Sequence, residues 1–188
     1  QCYFSDHQTK KSFEKLVNDK SYNFSRYNFF LANYLLFNNK IKEAETVITN
    51  SRKEYNSNLL IKETENFFSN DKNESIKSVF NCQNPKDSLA EFFYVIANLY
   101  SSEKNYQLSN FYLKISLFLN NKFLTNKALL AENYYYQKKY KLSKKIYESL
   151  KSIGFVYSWH ASKNIAAILL EEKGKEYSVI GLEKEFNL

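Results

Sequence analysis

The chain has little glycine and almost no proline, with 3 Gly and 1 Pro among 188 residues. An all-β fold with many tight turns needs more of both, because these two residues supply the special backbone angles of turns. Strict alternation of apolar and polar residues is also hard to find along the sequence. Since 44% of the residues are hydrophobic, including 16 Phe and 16 Tyr, the chain has enough apolar surface to form a core. These features predict an all-α fold.

Cysteine is scarce and methionine is absent. Cys2 and Cys82 are too few for a disulfide framework and lack the spacing of a metal site, so we expect an inert Cys82 and a disordered Cys2. No apolar run is long enough to span a membrane. Because the chain begins at Gln1 and contains no Met, we expect that an upstream segment was removed, and it could have included a signal peptide. The localisation is therefore open: cytoplasmic or, if a signal segment was removed, periplasmic.

Arginine is the scarcest charged residue type. Only Arg26 and Arg52 are arginines among 27 basic residues, although the chain has a net charge of +7. Interfaces with nucleic acids favour arginine, which contacts phosphates and bases with two parallel hydrogen bonds, whereas lysine is a hydrated point charge. Lysines spread over helix surfaces are typical of solvated faces. We therefore do not expect a nucleic-acid partner.

Two stretches of the chain repeat one another 34 residues apart. The first runs from Ala97 to Ser109 and the second from Ala131 to Ser143, and both carry Ala, Tyr, Tyr, Leu and Ser in register. The small residues at both ends predict two helices that approach each other closely on either side of a short turn. A period of this length, made of two helical patterns and a turn, is typical of a helical solenoid.

These positions resemble the tetratricopeptide repeat (TPR), which has a small residue at its eighth place, tyrosine at its eleventh, a small residue at its twentieth and a bulky one at its twenty-fourth. The resemblance covers about residues 25–188, and is particularly close to α-proteobacterial TPR proteins of unassigned activity. Asn121 and Phe155 stand where the repeat usually has proline. The resemblance implies a right-handed α-α superhelix, a TPR-like solenoid, of about five helix pairs.

The domain organisation follows from the same pattern. Residues 1–21 are expected to form a ragged N-terminal segment with one helix, and residues 25–188 the TPR-like solenoid. The second repeat is degenerate, and the last begins one residue late. The expected repeats cover about residues 25–55, 56–84, 90–123, 124–157 and 159–188.

The resemblance also implies that the first helix of each repeat lines a concave groove for a peptide or partner helix. Tyr134 is assigned to the packing stripe of its repeat, whereas Tyr135 and Tyr136 are expected to project toward the groove, where tyrosine supplies rigid contact area. The alternative is that both pack against the neighbouring repeat. On this register the groove-facing candidates are Arg26, Phe29, Asn33, Phe37, Tyr94, Asn98, Glu132, Tyr135, Tyr136, His160 and Lys163.

Familiar active-site patterns are missing from the sequence. It has no Gly-rich phosphate loop, no metal-ligand spacing and no nucleophile elbow. The two histidines, His7 and His160, have no catalytic partner at a recognisable spacing. We therefore expect a non-catalytic protein-protein interaction scaffold, with no catalytic residues, cofactor or metal. The alternatives are an assembly module of a larger enzyme or complex whose activity lies elsewhere, and a self-associating structural protein.

Overall fold

The computed structural model describes residues 8–19 and 25–186, and all regular structure in these two ranges is helical. This confirms the all-α prediction. Cys2 and His7 lie outside the described residues. The eleven described helices are α1 (Thr9–Asn18), α2 (Ser25–Phe37), α3 (Ile41–Glu54), α4 (Leu59–Ser69), α5 (Asn73–Val79), α6 (Pro85–Ser102), α7 (Tyr106–Leu119), α8 (Leu124–Tyr136), α9 (Tyr140–Lys151), α10 (Phe155–Lys173) and α11 (Lys175–Phe186).

Ten of these helices form five consecutive pairs. The pairs α2/α3, α4/α5, α8/α9 and α10/α11 pack directly, and α6 and α7 are joined by side-chain hydrogen bonds. Contacts divide the chain into two compact units. The N-terminal unit extends to Leu89, and the C-terminal unit starts at Ala90.

The same tight turn closes four of the helix pairs. In each turn one residue has a positive φ of 54–61°, and the next backbone N–H donates to the carbonyl five residues earlier over 2.8–2.9 Å. This is the geometry of a Schellman ending, which satisfies the last carbonyls of the first helix. Since these turns follow one another at intervals of 32–34 residues, the repeat period extends into the N-terminal unit. The residues with positive φ are Asn39, Asp71, Lys104 and Lys138.

Replacing Lys138 by glycine is expected to raise the free energy of unfolding by about 0.5–1 kcal/mol. Lys138 has a φ of 56°, at which a Cβ is strained and glycine is not. Urea denaturation followed by far-UV circular dichroism measures the change. The matched control is Lys145→Gly on the exposed interior of α9, which should lower the free energy of unfolding by about 1 kcal/mol. A loss at Lys138→Gly as large as that of the control would contradict the turn assignment.

Small residues allow the helices of each pair to approach closely. Ser109 Oγ donates to the carbonyl of Ala97, and Ser143 Oγ donates to that of Ala131, both over 2.7 Å. These contacts confirm the close approach predicted from the repeated stretches. The last pair has the same contact, from Ser178 Oγ to the carbonyl of Ala166 over 2.9 Å.

Buried polar side chains then join α8 to the α6/α7 pair. Asn133 Nδ2 donates to Ser109 Oγ over 2.7 Å, and Asn126 Nδ2 donates to Ser116 Oγ over 2.6 Å. Ser116 Oγ in turn donates to the carbonyl of Ala90 over 2.6 Å. Each asparagine and each serine is separated from its counterpart by seven residues, about two helical turns. We call Ser109, Ser116, Asn126 and Asn133 the serine–asparagine ladder; all four are fully buried.

Tyr134 has the packing role predicted for it. It lies against a buried cluster formed by Ala97, Leu113 and Leu130. This cluster joins α6, α7 and α8, the same three helices that the serine–asparagine ladder connects. The apolar cluster and the ladder together fix the side of α8 that faces inward.

Cys82 does not have the inert thiol expected from the sequence, because it is disulfide-bonded. That expectation is therefore wrong. The sequence contains one other cysteine, Cys2, which lies outside the described residues.

Candidate partner-binding surface

The N-terminal unit buries two of the predicted groove residues. Phe29 and Asn33 are 1% and 2% exposed, and Asn33 Nδ2 donates to the carbonyl of Ile76 over 3.1 Å. Asn33 therefore joins α2 to α5, and in the described conformation neither side chain is accessible to a partner. The two other candidates in this unit keep contact with solvent. The guanidinium of Arg26 lies 5.7 Å from the ring centre of Phe30, and Phe37 is 44% exposed.

The candidates of the C-terminal unit are mostly accessible. Asn98 and Lys163 are exposed on α6 and α10, whereas Tyr94 is half-buried against the apolar cluster around Ala97. Glu132 and Tyr136 are exposed on α8, and Tyr135 is half-buried beside them. Three of the candidates, Glu132, Tyr135 and Tyr136, therefore lie together at the end of α8.

Four tyrosine rings meet at this end of α8. The ring of Tyr136 stacks on that of Tyr106, with centroids 5.6 Å apart and planes inclined by 14°. Tyr135 packs edge-to-face against Tyr136 at 5.6 Å and contacts the ring of Tyr140 at 5.7 Å. We call these four residues the tyrosine cluster. It places Tyr135 and Tyr136 at the accessible ends of two helix pairs, because Tyr106 and Tyr140 begin α7 and α9.

Glu132 lies one helical turn before Tyr135 and Tyr136, on the same side of α8. The Tyr136 phenol and the Glu132 carboxylate interact electrostatically. Partial desolvation raises the pKa of the Glu132 carboxyl above its ordinary value, and the interaction with Tyr136 offsets only part of the effect. The negative charge of Glu132 and desolvation in turn raise the pKa of the Tyr136 phenol. Tyr136 is therefore a neutral hydrogen-bond donor at pH 7.

His160 is connected to this surface through Tyr147. The imidazole packs edge-to-face on the Tyr147 ring at 5.8 Å, and Tyr147 is only 1% exposed. Burial raises the pKa of the Tyr147 phenol, and the nearby Glu132 carboxylate raises it further. His160 is thus held against the core by a buried tyrosine while its ring remains half-buried.

A shallow depression borders the tyrosine cluster. Its volume is about 490 Å³, and it opens to solvent beside the α6–α7 turn. One acidic and one basic residue are among the residues that line it. Its lining residues are Glu103, Lys104, Asn105, Tyr106, Gln107 and Gln137.

Three tyrosines of this region, Tyr106, Tyr140 and Tyr147, were not among the groove residues expected from the sequence. Tyr106 and Tyr140 belong to the 34-residue repeat, and their equivalent positions were a usable signal that both rings lie at the same end of their helix pairs. Tyr147 has the position of a core residue, and no sequence pattern connects it to His160. The groove assignment omitted them because it considered only the first helix of each repeat.

Across residues 8–19 and 25–186, no three His, Cys, Asp or Glu side chains are grouped so that they could hold a metal ion. In the same part of the chain, no helix is both long and apolar enough to cross a membrane.

No protein-family model, curated protein or solved structure matches this chain. The resemblance to tetratricopeptide repeats therefore depends on the repeat positions of the sequence alone.

Proposed function

We propose that this chain is a non-catalytic protein-protein interaction scaffold of the TPR type, in which stacked helix pairs form a right-handed superhelix. Its C-terminal unit binds a peptide or partner helix across α8. The observation that carries the proposal is the tyrosine cluster beside Glu132, since it is an aromatic surface that is accessible at Tyr136.

The chemistry of this surface favours protein recognition. Tyrosine has only two side-chain torsions, so it supplies a large contact area with little loss of conformational entropy, and its hydroxyl forms hydrogen bonds at the edge of an interface. Tyr136 is 55% exposed although its ring is held between those of Tyr106 and Tyr135. A partner can therefore bury the exposed part of a ring whose orientation is already fixed.

The inner side of α8 explains why this surface is rigid. Asn126 and Asn133 attach α8 to the α6/α7 pair, and the carbonyl of Ala131 accepts a hydrogen bond from α9. Glu132, Tyr135 and Tyr136 alternate with these anchored residues along the helix. A receptor surface that is ordered before binding loses less conformational entropy on association.

The double substitution Tyr135→Ala and Tyr136→Ala is expected to weaken partner binding at least tenfold, because truncation of buried aromatic anchors costs about 2 kcal/mol or more. Capture on immobilised protein from the native cell, followed by mass spectrometry and titration of the retained protein, measures this loss. Tyr177→Ala is the matched control, since Tyr177 is 53% exposed on α11 and lies outside the cluster. Unchanged retention by a double variant with a wild-type circular dichroism spectrum would contradict the proposal.

Self-association is the second candidate, and the exposed apolar side chains of α6 and α7 favour it. Phe92, Leu99, Phe111 and Phe118 are 57–88% exposed, and α7 carries one charged residue, Lys114. Contiguous exposed apolar patches mark interaction surfaces. The same capture experiment distinguishes the two candidates, because self-association retains a second copy of this chain and not a different protein.

A further inference from the structure

The surface around Glu132 has the chemistry of a receptor for a cation. We propose that it takes a lysine or arginine side chain of the partner, with the Glu132 carboxylate as counter-ion and the tyrosine cluster as the surrounding wall. This inference rests on the proposed function, because it specifies the partner's chemistry at the same surface.

The Glu132 carboxylate lacks an internal counter-ion among the described residues. It is exposed, and no lysine or arginine forms an ion pair with it in the described part of the chain. Other glutamates of this lysine-rich chain do form ion pairs, such as Glu43 with Lys10 at 2.7 Å and Glu74 with Lys77 at 2.8 Å. Glu132 is therefore an accessible carboxylate that an incoming cation would neutralise.

The arrangement of the rings in the tyrosine cluster also favours a cation. A lysine or arginine head group is attracted to the face of an aromatic ring within about 6 Å of its centre. The ring centre of Tyr136 lies 5.6 Å from that of Tyr106 and 5.6 Å from that of Tyr135, and Glu132 lies one helical turn away on α8. The chain itself uses such contacts elsewhere, since Lys173 lies 5.5 Å from the ring centre of Tyr177.

The net charge of the chain works against a cation, so any preference for one is local. The whole chain carries a net charge of +7, which at long range attracts anions and repels cations. A site that nevertheless prefers a cation must owe this preference to local groups. Glu103 and Lys104 both line the depression beside Tyr106 and carry opposite charges, so Glu132 is the group that supplies the preference.

The experiment compares two small probes that differ in charge and little in size, Nα-acetyl-lysine methylamide and Nα-acetyl-norleucine methylamide. The full chain is labelled with ¹⁵N-tyrosine, and the amide signals of Tyr135 and Tyr136 are followed during titration by NMR. We expect saturable shifts with the lysine probe and an apparent affinity about 5–10 times that for norleucine, the range of one cation–π contact combined with a partly exposed ion pair. Equal shifts with both probes would overturn the inference.

Substitutions supply the second part of the test. Glu132→Gln should reduce the affinity for the lysine probe about fivefold and leave the response to norleucine unchanged. Glu148→Gln is the matched control on α9, where Glu148 pairs with Lys151 at 3.8 Å, and it should change neither. Glu132→Gln without effect on lysine binding would also overturn the inference.

Failure of this inference is distinguishable from failure of the proposed function. If Tyr135→Ala with Tyr136→Ala abolishes partner capture but the lysine probe produces no saturable shift, the surface binds a partner through other chemistry and the cation inference alone is wrong. If the lysine probe binds but the double variant retains the partner unchanged, the cation site exists and the proposed function is wrong.

Discussion

Replacement of Asn133 by alanine should lower the free energy of unfolding by about 2–4 kcal/mol, because it removes three hydrogen bonds at once, two of them buried. Asn133 Nδ2 donates to Ser109 Oγ and to Asn110 Oδ1, over 2.7 and 2.9 Å, and Asn133 Oδ1 accepts from Ser101 Oγ over 2.7 Å. The substitution leaves Asn110, which is only 6% exposed, without this donor. Urea denaturation monitored by far-UV circular dichroism measures the loss.

Two further variants separate the hydrogen bonds from the asparagine itself. Asn98→Ala, at an exposed position of α6, should change the free energy of unfolding by less than about 0.5 kcal/mol. Asn133→Asp keeps the shape but replaces the donor by an acceptor that faces Asn110 Oδ1, so it should be at least as destabilising as alanine at pH 7. A loss at Asn133→Ala no larger than that at Asn98→Ala would show that the serine–asparagine ladder does not hold α8 in place.

Replacement of Glu63 by methionine should raise the free energy of unfolding by about 1–3 kcal/mol at pH 7, because it removes a buried carboxylate that is poorly compensated. Glu63 is 6% exposed on α4, and its Oε2 atom has no hydrogen-bond partner among the described residues. Desolvation raises the pKa of its carboxyl, while attraction to Lys72 and a hydrogen bond with Asn66 offset part of this effect. Glu45→Met, at an exposed position of α3, is the control and should be nearly neutral.

The pH dependence of this gain has a definite sign. Since the pKa of Glu63 is higher in the folded chain than its ordinary value of 4.5, the folded state binds the proton more tightly than the unfolded state. The wild type therefore loses stability as the pH rises through the folded pKa, and the electrostatic penalty is absent below 4.5. The advantage of Glu63→Met should be largest at neutral pH and shrink on acidification. A pH-independent advantage would contradict the electrostatic explanation.

The fold class and the close helix contacts were predictable from the sequence, because they depend on local periodicity and on small residues at fixed spacing. Ala97 with Ser109 and Ala131 with Ser143 are neighbours in space, as their repetition indicated. The shared turn was less visible. Lys104 and Lys138 adopt a backbone conformation that glycine or asparagine usually marks, so no residue type announced it.

Buried polar residues were the part that sequence patterns concealed. Frequent asparagine is typical of solvated helix faces, but Asn126 and Asn133 are both fully buried. Their spacing of seven residues, matched by Ser109 and Ser116, was the available signal. The burial of Asn33 and Glu63 has no such signal, because it depends on which helices pack around α2 and α4.

The candidate surface could be predicted in part. The repeat register left two roles open for Tyr135 and Tyr136, projection toward a groove or packing against the neighbouring repeat. Tyr136 stacks on Tyr106 of the preceding repeat, as the second role implies, and is still 55% exposed, whereas Tyr135 contacts Tyr140 of its own repeat. The stacking of Tyr106 on Tyr136 joins different repeats, so it follows from tertiary packing and not from the pattern of either repeat.

Site-specific photo-crosslinking in the native cell tests the central claim most directly, that the tyrosine cluster is the partner-binding surface. A photoreactive phenylalanine analogue replaces Tyr136 in one version of the chain and the equally exposed Tyr177 in the other, and the adducts are identified by mass spectrometry. We predict a protein adduct at position 136 that is absent at position 177. Adducts of equal yield at both positions, or an adduct with a second copy of this chain alone, would contradict the claim.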